Sequence, residues 1–124
     1  ILYKSWKGGV SQSKIYMYGK TSFGIITNSM FTGNIVSSKI YVYKANSASI
    51  FIENWKSGKL YKSYVLSNGK YSYSIYVSKG KYMVSNSLVR SYGYYAIFYD
   101  TSKIKLVKSS VKSRKGLSNV HKAI

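Results

Sequence analysis

The chain has 124 residues and no cysteine, and its 20 Lys and Arg face only two Asp and Glu, for a formal net charge of +18. That length suits one domain with a single hydrophobic core, and the absence of cysteine excludes disulfides and thiolate metal sites. No apolar run approaches the roughly 18–20 residues of a membrane-spanning helix, so we expect no transmembrane segment.

The first third of the chain is typical of short strands separated by turns. A strand over residues 1–9 ends at two glycines, and a second strand follows over residues 11–19. The pair Gly19-Lys20 indicates a turn, and a third strand is expected over residues 21–27. Residues 28–34 are predicted to form a loop.

A six-residue motif occurs twice, almost letter for letter: residues 13–18 read SKIYMY and residues 38–43 read SKIYVY. Successive side chains on a strand point to opposite sides, so the small apolar residues share one face. The other face is a predicted aromatic and cationic surface that consists of Lys14, Tyr16, Tyr18, Lys39, Tyr41 and Tyr43. The alternative is a central strand that buries both faces.

Three Gly-Lys pairs divide the middle of the chain at intervals of eleven residues: Gly58-Lys59, Gly69-Lys70 and Gly80-Lys81. A strand of about seven residues followed by a tight turn gives this period, and Asn68-Gly69 is a strong hairpin signal. We therefore predict an antiparallel β-meander over residues 49–85 with lysines at its turns. The lysines expected to bind a polyanion there are Lys20, Lys56, Lys59, Lys70, Lys79 and Lys81.

The C-terminal region changes in character after residue 107. Residues 94–99 are apolar on both faces, which predicts a central strand, and residues 102–107 are expected to form the last strand. Residues 108–124 predict a basic tail that is either a short helix or disordered, or that becomes ordered on a partner. The tail cations expected to contact a partner are Lys108, Lys112, Arg114 and Lys115.

Together these elements predict an all-β fold, with a single antiparallel β-sandwich or small barrel over residues 1–107 and the basic tail after it. The run over residues 49–84, which includes SKGKYMV at 78–84, resembles the meanders of bacterial secreted β-sandwich domains. These are the jelly-roll modules of exported proteases and glycan-binding proteins, and the resemblance implies a sandwich. It carries over no functional residue, because such domains often bind calcium through acidic loops that this chain lacks.

Catalytic chemistry has few groups to draw on, because His121, Glu53 and Asp100 are the only histidine and acids of the sequence. General acid–base catalysis usually depends on such groups, and a glycosidase needs a positioned pair of carboxylates. Zinc and calcium sites need more ligands than these residues supply. We therefore expect a binding protein with no enzymatic activity, no metal and no cofactor.

The charge imbalance favours a polyanionic partner. Only Arg90 and Arg114 are arginines, and lysine is a mobile point charge that suits diffuse attraction better than bidentate recognition. We predict a secreted or cell-surface bacterial protein, with its signal peptide removed, that attaches to an anionic envelope polymer such as teichoic acid or to an anionic membrane. An antimicrobial role is one form such a protein takes. Two alternatives stay open: a barrel that binds single-stranded nucleic acid by tyrosine stacking, and a β-sandwich module that binds neutral glycans.

Overall fold

All the strand ladders of the described chain are parallel, and this feature defines its architecture. The computed structural model describes residues 2–3 and 6–122, with side chains at 8–27, 32–54 and 56–122. Strands make up 66% of the chain, the described part contains no helix, and the backbone winds as a β-solenoid of about four turns. Successive turns add a strand to each of two facing sheets.

The seven strands of the first sheet, here the long sheet, are β1 (Leu2–Tyr3), β2 (Trp6–Ser11), β4 (Phe23–Val36), β6 (Ala48–Tyr61), β8 (Tyr73–Ser85), β10 (Ile97–Val107) and β12 (Val120–Lys122). The five strands of the short sheet are β3 (Lys14–Met17), β5 (Lys39–Val42), β7 (Tyr64–Ser67), β9 (Leu88–Ser91) and β11 (Ser110–Lys112). Within each sheet the strands follow one another in chain order, except that β1 and β2 both pair with β4.

The predicted antiparallel sandwich or barrel is wrong, and so is the sandwich fold that the resemblance implied. Consecutive strands such as β3 and β4 belong to different sheets, and each strand pairs with the strand one turn later. The serines at the entry to the short sheet give the length of a turn, because Ser13 and Ser38 are hydrogen-bonded across a separation of 25 residues. The SKIYMY and SKIYVY motifs begin at these two serines, so the interval between the motifs is one solenoid turn.

Two of the three predicted hairpin turns lie inside long strands. Gly58 belongs to β6 and Gly80 to β8, and only Gly69 lies at a corner of the solenoid, between β7 and β8. Gly58 is in register with Gly33, and Gly33 with Gly8. A Cβ added at Gly33, where φ is +151°, would lie 1.5 Å from the Gly8 carbonyl oxygen. Glycine here permits close approach of neighbouring turns rather than a hairpin.

The hydrophobic core consists of aligned aliphatic side chains between the two sheets. Its fully buried members include the long-sheet residues Ile25, Ile50, Ile75 and Ile97 and the short-sheet residues Ile40, Val65 and Val89. Burial of one such side chain contributes about 1.5–3 kcal/mol. Because side chains alternate along a strand, the residues between these positions point outward and form the surfaces described below.

Serines align the turns at the corner that leads into the short sheet. The Ser38 N–H donates to Ser63 Oγ at 3.1 Å, and that hydroxyl donates to the Tyr61 carbonyl at 3.0 Å. Lys62, just before Ser63, has a left-handed backbone with a φ of +49°. The N–H-to-hydroxyl contact recurs along the series Ser13, Ser38, Ser63, Ser87 and Ser109. These bonds satisfy backbone groups that a sharp corner would otherwise leave unpaired.

Two further segments, the basic tail and the loop at 28–34, differ from their predictions, and a third corresponds to its prediction in part. Through Lys122, the predicted tail completes the last solenoid turn, because β11 pairs with β9 and β12 with β10. The predicted loop at 28–34 lies within β4. The predicted strand at 1–9 corresponds to β1 and most of β2; residues 1, 4, 5, 123 and 124 lie outside the described part.

Candidate functional site

Seven lysines lie on the neighbouring strands β6, β8, β10 and β12 of the long sheet, six of them on its C-terminal half and Lys122 at the boundary with the other half. This lysine face consists of Lys56, Lys59, Lys79, Lys81, Lys103, Lys105 and Lys122; Lys59 is half-buried and the others are exposed. The alternation along β8 shows how it forms, because Lys81 is exposed whereas the adjacent Tyr82 is buried in the core. Neighbouring strands are about 4.8 Å apart, and Lys81 and Lys103 are in register at that interval on β8 and β10.

Four of these lysines surround one groove. The groove is open and has a volume of about 660 Å³, and the residues that line it are Asn54, Lys56, Ser57, Gly80, Lys81, Thr101, Ser102, Lys103 and Lys122. An adjoining groove of 300 Å³ shares Ser57, Lys81 and Lys103 and adds Lys105. The described residues that line the two grooves include no Asp or Glu. The surface therefore presents concentrated positive charge with polar groups between the cations.

This arrangement is costly for folding. Lys81 and Lys103 are directly in register on adjacent strands, and like charges in that position destabilise a sheet. The net charge of +18 adds a general repulsion. An anion bound between these side chains would remove part of that unfavourable free energy.

The structure brings together four of the six lysines predicted to bind a polyanion. Lys56 and Lys59 lie on β6, and Lys79 and Lys81 on the adjacent β8. The other two, Lys20 and Lys70, lie at the corner of the solenoid that precedes β4 and β8.

Sequence reasoning missed the three remaining members of the lysine face. Lys103 and Lys105 lie on β10 and Lys122 on β12, one turn and two turns after β8. The sequence carried no signal that groups them, because the register between β8 and β10 that places Lys103 beside Lys81 is set by the fold.

The other half of the long sheet's outward surface is aromatic. Four rings on successive turns contact one another at centroid distances of 4.5, 5.4 and 5.2 Å. This aromatic ladder consists of Phe51, Tyr76, Phe98 and His121. Stacked rings of this kind contribute favourable free energy beyond the area they bury, so the ladder stabilises the fold.

The two acids lie near the ladder. Burial raises the pKa of the Tyr76 hydroxyl, and the negative charges of Asp100 and then Glu53 raise it further. Asp100 also accepts a hydrogen bond from the hydroxyl of Thr101, which lines the larger lysine groove. The acids therefore mark the boundary between the aromatic ladder and the lysine face.

The short sheet carries the predicted aromatic and cationic surface, here called the lysine–tyrosine face. Lys14 and Lys39 are in register on β3 and β5. The rings of Tyr16 and Tyr41 are 5.2 Å apart, and those of Tyr18 and Tyr43 stack at 4.8 Å with 3° between their planes. Ile40 and Val42 are buried while Lys39 is exposed, so β5 buries one face rather than both.

The four tail cations are exposed and lie on different elements. Lys108 occupies the corner before β11, Lys112 lies on β11 itself, and Arg114 and Lys115 lie in the connection to β12. They extend the positive charge of the surface but do not line either of the lysine-rich grooves.

The described residues contain no group of three or more potential metal ligands. The imidazole of His121 stacks on Tyr95 at 4.3 Å. Within the described chain we find no helix with the length and apolar character to cross a membrane. Comparison with protein-family models, with curated proteins and with solved structures finds no match to this chain.

Proposed function

We propose that this chain is a binding protein, not an enzyme, and that its lysine face attaches to an anionic polymer of the bacterial cell envelope, such as a teichoic acid. The observation that carries the proposal is the groove that Lys56, Lys81, Lys103 and Lys122 surround. Because envelope polymers lie outside the cytoplasmic membrane, the proposal includes a secreted or cell-surface location.

The spread of the cations over four neighbouring strands supports a polymer rather than a single small anion. Neighbouring strands are about 4.8 Å apart, so a chain of phosphates that crosses the strands passes several lysines, among them the in-register pair Lys81 and Lys103. Each neutralised phosphate releases counterions, which makes the affinity depend steeply on salt. Lysine suits this mode of binding, because its flexible stem follows a polymer that has no fixed shape.

A triple substitution tests this surface. Lys81→Gln, Lys103→Gln and Lys122→Gln together remove three charges around one groove, and the matched control Lys14→Gln, Lys39→Gln and Lys112→Gln removes three from the short sheet. Binding to immobilised lipoteichoic acid is measured from about 0.05 to 0.5 M salt. We expect the first triple to reduce the log–log salt slope by roughly two and the control to change it less. Equal losses in the two triples would show that only net charge matters and would contradict the proposed site.

A second candidate is single-stranded nucleic acid on the lysine–tyrosine face. The exposed fractions of Tyr16 and Tyr18, 38% and 65%, favour it, because exposed rings beside lysines are how such proteins hold bases. The same two triples separate the candidates. Oligothymidine binding that the short-sheet triple weakens, while lipoteichoic acid binding is absent, would favour nucleic acid.

A further inference from the structure

A gap interrupts an outward row of aromatic side chains at the start of the long strands. Phe23, Ala48 and Tyr73 are in register on β4, β6 and β8. The two outer positions carry rings, whereas the central position carries only a methyl group, which forms the buried floor of the gap. The gap is open and has a volume of 310 Å³.

The walls of this slot are aromatic and its rim is polar. The residues that line it are Phe23, Asn46, Ser47, Ala48, Phe51, Tyr71 and Tyr73. The Phe23 ring contacts Phe51 edge-to-face at 5.4 Å, and Tyr73 contacts Phe98 at 5.0 Å. These contacts hold both walls in place. Tyr71 is 50% exposed and supplies a third ring at the entrance.

The spacing of the strands that carry the walls favours a sugar ring over a nucleobase. The strands that carry Phe23 and Tyr73 are separated by β6 and therefore lie about 9.5 Å apart. A planar base in van der Waals contact with both walls needs only about 7–8 Å. A pyranose chair is thicker, because axial hydrogens project from both of its faces, and it fills the slot more completely.

The polar groups at the rim of the slot are also compatible with a sugar. The Ser47 hydroxyl is already used, since it donates to the Ala45 carbonyl at 3.2 Å and accepts from the Ser22 N–H at 2.9 Å. Asn46 is exposed at the rim, where its side-chain amide can donate to and accept from a sugar hydroxyl.

The surrounding charge favours a sugar that belongs to an anionic polymer. The corner beside the slot carries Lys20, Lys44 and Lys70, all exposed. The Lys70 ammonium lies 5.2 Å from the centre of the Tyr71 ring at the entrance. A cationic ligand would be repelled here, whereas a phosphate next to the bound sugar would meet these lysines.

We propose that the slot over Ala48 binds one pyranose substituent of a glycosylated polyanion, with the neighbouring phosphates at Lys20, Lys44 and Lys70. This inference rests on the proposed function and adds the sugar to it. The polymer is then recognised twice, by charge at the lysine face and by a stacked sugar at the slot.

The experiment uses glucosylated polyglycerol phosphate and the same polymer after a glucosidase has removed its sugars. We expect the intact chain to bind the glucosylated form roughly tenfold more tightly, since ring contacts of this kind are worth about one decade in affinity. Ala48→Phe fills the slot and should abolish that difference while binding to the bare polymer stays unchanged. The matched control Leu88→Phe adds a ring to an exposed position on β9 and should preserve the difference.

If Ala48→Phe does not fold, a second variant tests the slot independently. Tyr71→Asn removes the ring at the entrance and keeps a residue that tolerates the left-handed backbone at this position, where φ is +60°. It should reduce the difference between the two polymers severalfold.

The outcomes separate this inference from the proposed function. Equal binding of the two polymers would overturn the slot and leave the proposed function intact. Binding to a neutral oligosaccharide that Ala48→Phe abolishes, with none to bare polyglycerol phosphate, would support the slot and overturn the proposed polyanion binding. Oligothymidine binding that Ala48→Phe abolishes would show that the slot takes a base and would overturn the sugar assignment.

Discussion

The two halves of the long sheet's outward surface share one set of parallel ladders and differ in what their side chains do to each other. On the aromatic half, rings on successive turns attract, with Phe51 and Tyr76 stacked at 4.5 Å. On the lysine half, Lys81 and Lys103 occupy the same relative positions and repel. A solenoid aligns each residue with its counterpart one turn away. The residue type therefore decides whether neighbouring side chains in a row attract and stabilise the fold, or repel and destabilise it unless a counter-charge is bound.

The largest effect is expected on the aromatic half. Tyr76→Ala removes a ring that contacts both Phe51 and Phe98, and two such contacts together with the lost burial correspond to about 1–3 kcal/mol in the free energy of unfolding. Urea denaturation measures the loss. Tyr64→Ala, at a 49% exposed position of the short sheet, serves as the control and should cost less than about 1 kcal/mol. A loss at Tyr76 no greater than that at Tyr64 would show that the ladder does not stabilise the fold.

The lysine half should respond with the opposite sign. The triple substitution of Lys81, Lys103 and Lys122 by Gln removes one aligned pair of like charges and a third cation of the same groove, so the free energy of unfolding should rise by a few tenths to about 1 kcal/mol at low salt. The difference should vanish near about 1 M salt, where screening is nearly complete. A control with Gln at Lys20, Lys108 and Lys115 removes the same charge from separate corners and connections and should gain less. Destabilisation by the first triple would refute the repulsion argument.

A smaller effect is expected on the aromatic half at high pH, where the Tyr73 hydroxyl ionises and stability falls. Burial first, then the neighbouring Tyr94, Tyr76 and Tyr95, raise the pKa of the Tyr73 hydroxyl to about 12. Because this pKa lies above that of the unfolded chain, the contribution of Tyr73 to stability is complete below about pH 10 and declines between about pH 10 and 12.

Comparison with Tyr73→Phe isolates this contribution, since all other titrations are common to both proteins. We expect the stability of the wild type relative to Tyr73→Phe to fall as the pH rises from about 10 to 12. A difference that stays constant over that range would contradict the raised pKa.

The antiparallel prediction was wrong because a solenoid turn was interpreted as a pair of hairpin strands. The SKIYMY and SKIYVY motifs begin at Ser13 and Ser38, and their separation of 25 residues is in the range that indicates a solenoid turn. Later turns shorten, with separations of 24 residues between Ser63 and Ser87 and 22 residues between Ser87 and Ser109, so the motif does not continue at a fixed period. The eleven-residue interval between Gly-Lys pairs approximates half a turn, and half a turn has the same length as a hairpin repeat. Sequence spacing alone does not distinguish the two.

In the candidate site, the exposure of single lysines is predictable from the sequence, but their grouping in space is not. Exposed lysines could be recognised one at a time from their alternation with apolar neighbours, as Lys81 is beside Tyr82. Their grouping depends on which strands are adjacent, and an antiparallel meander and a parallel solenoid make different strands adjacent. The slot at Ala48 was not recognisable from sequence, because an alanine becomes a gap only once Phe23 and Tyr73 are placed on either side of it.

The all-β fold class, the alternation of Ile and Val with Lys along the strands and the strongly positive surface follow from the sequence alone. These properties are local or additive, since they follow from side-chain alternation and from composition. The tertiary structure sets the strands parallel, adds Lys103, Lys105 and Lys122 to the lysine face, and forms a slot from a gap in a row of rings. Those properties depend on contacts between residues a full solenoid turn apart in the sequence, and the register of the coil sets those contacts.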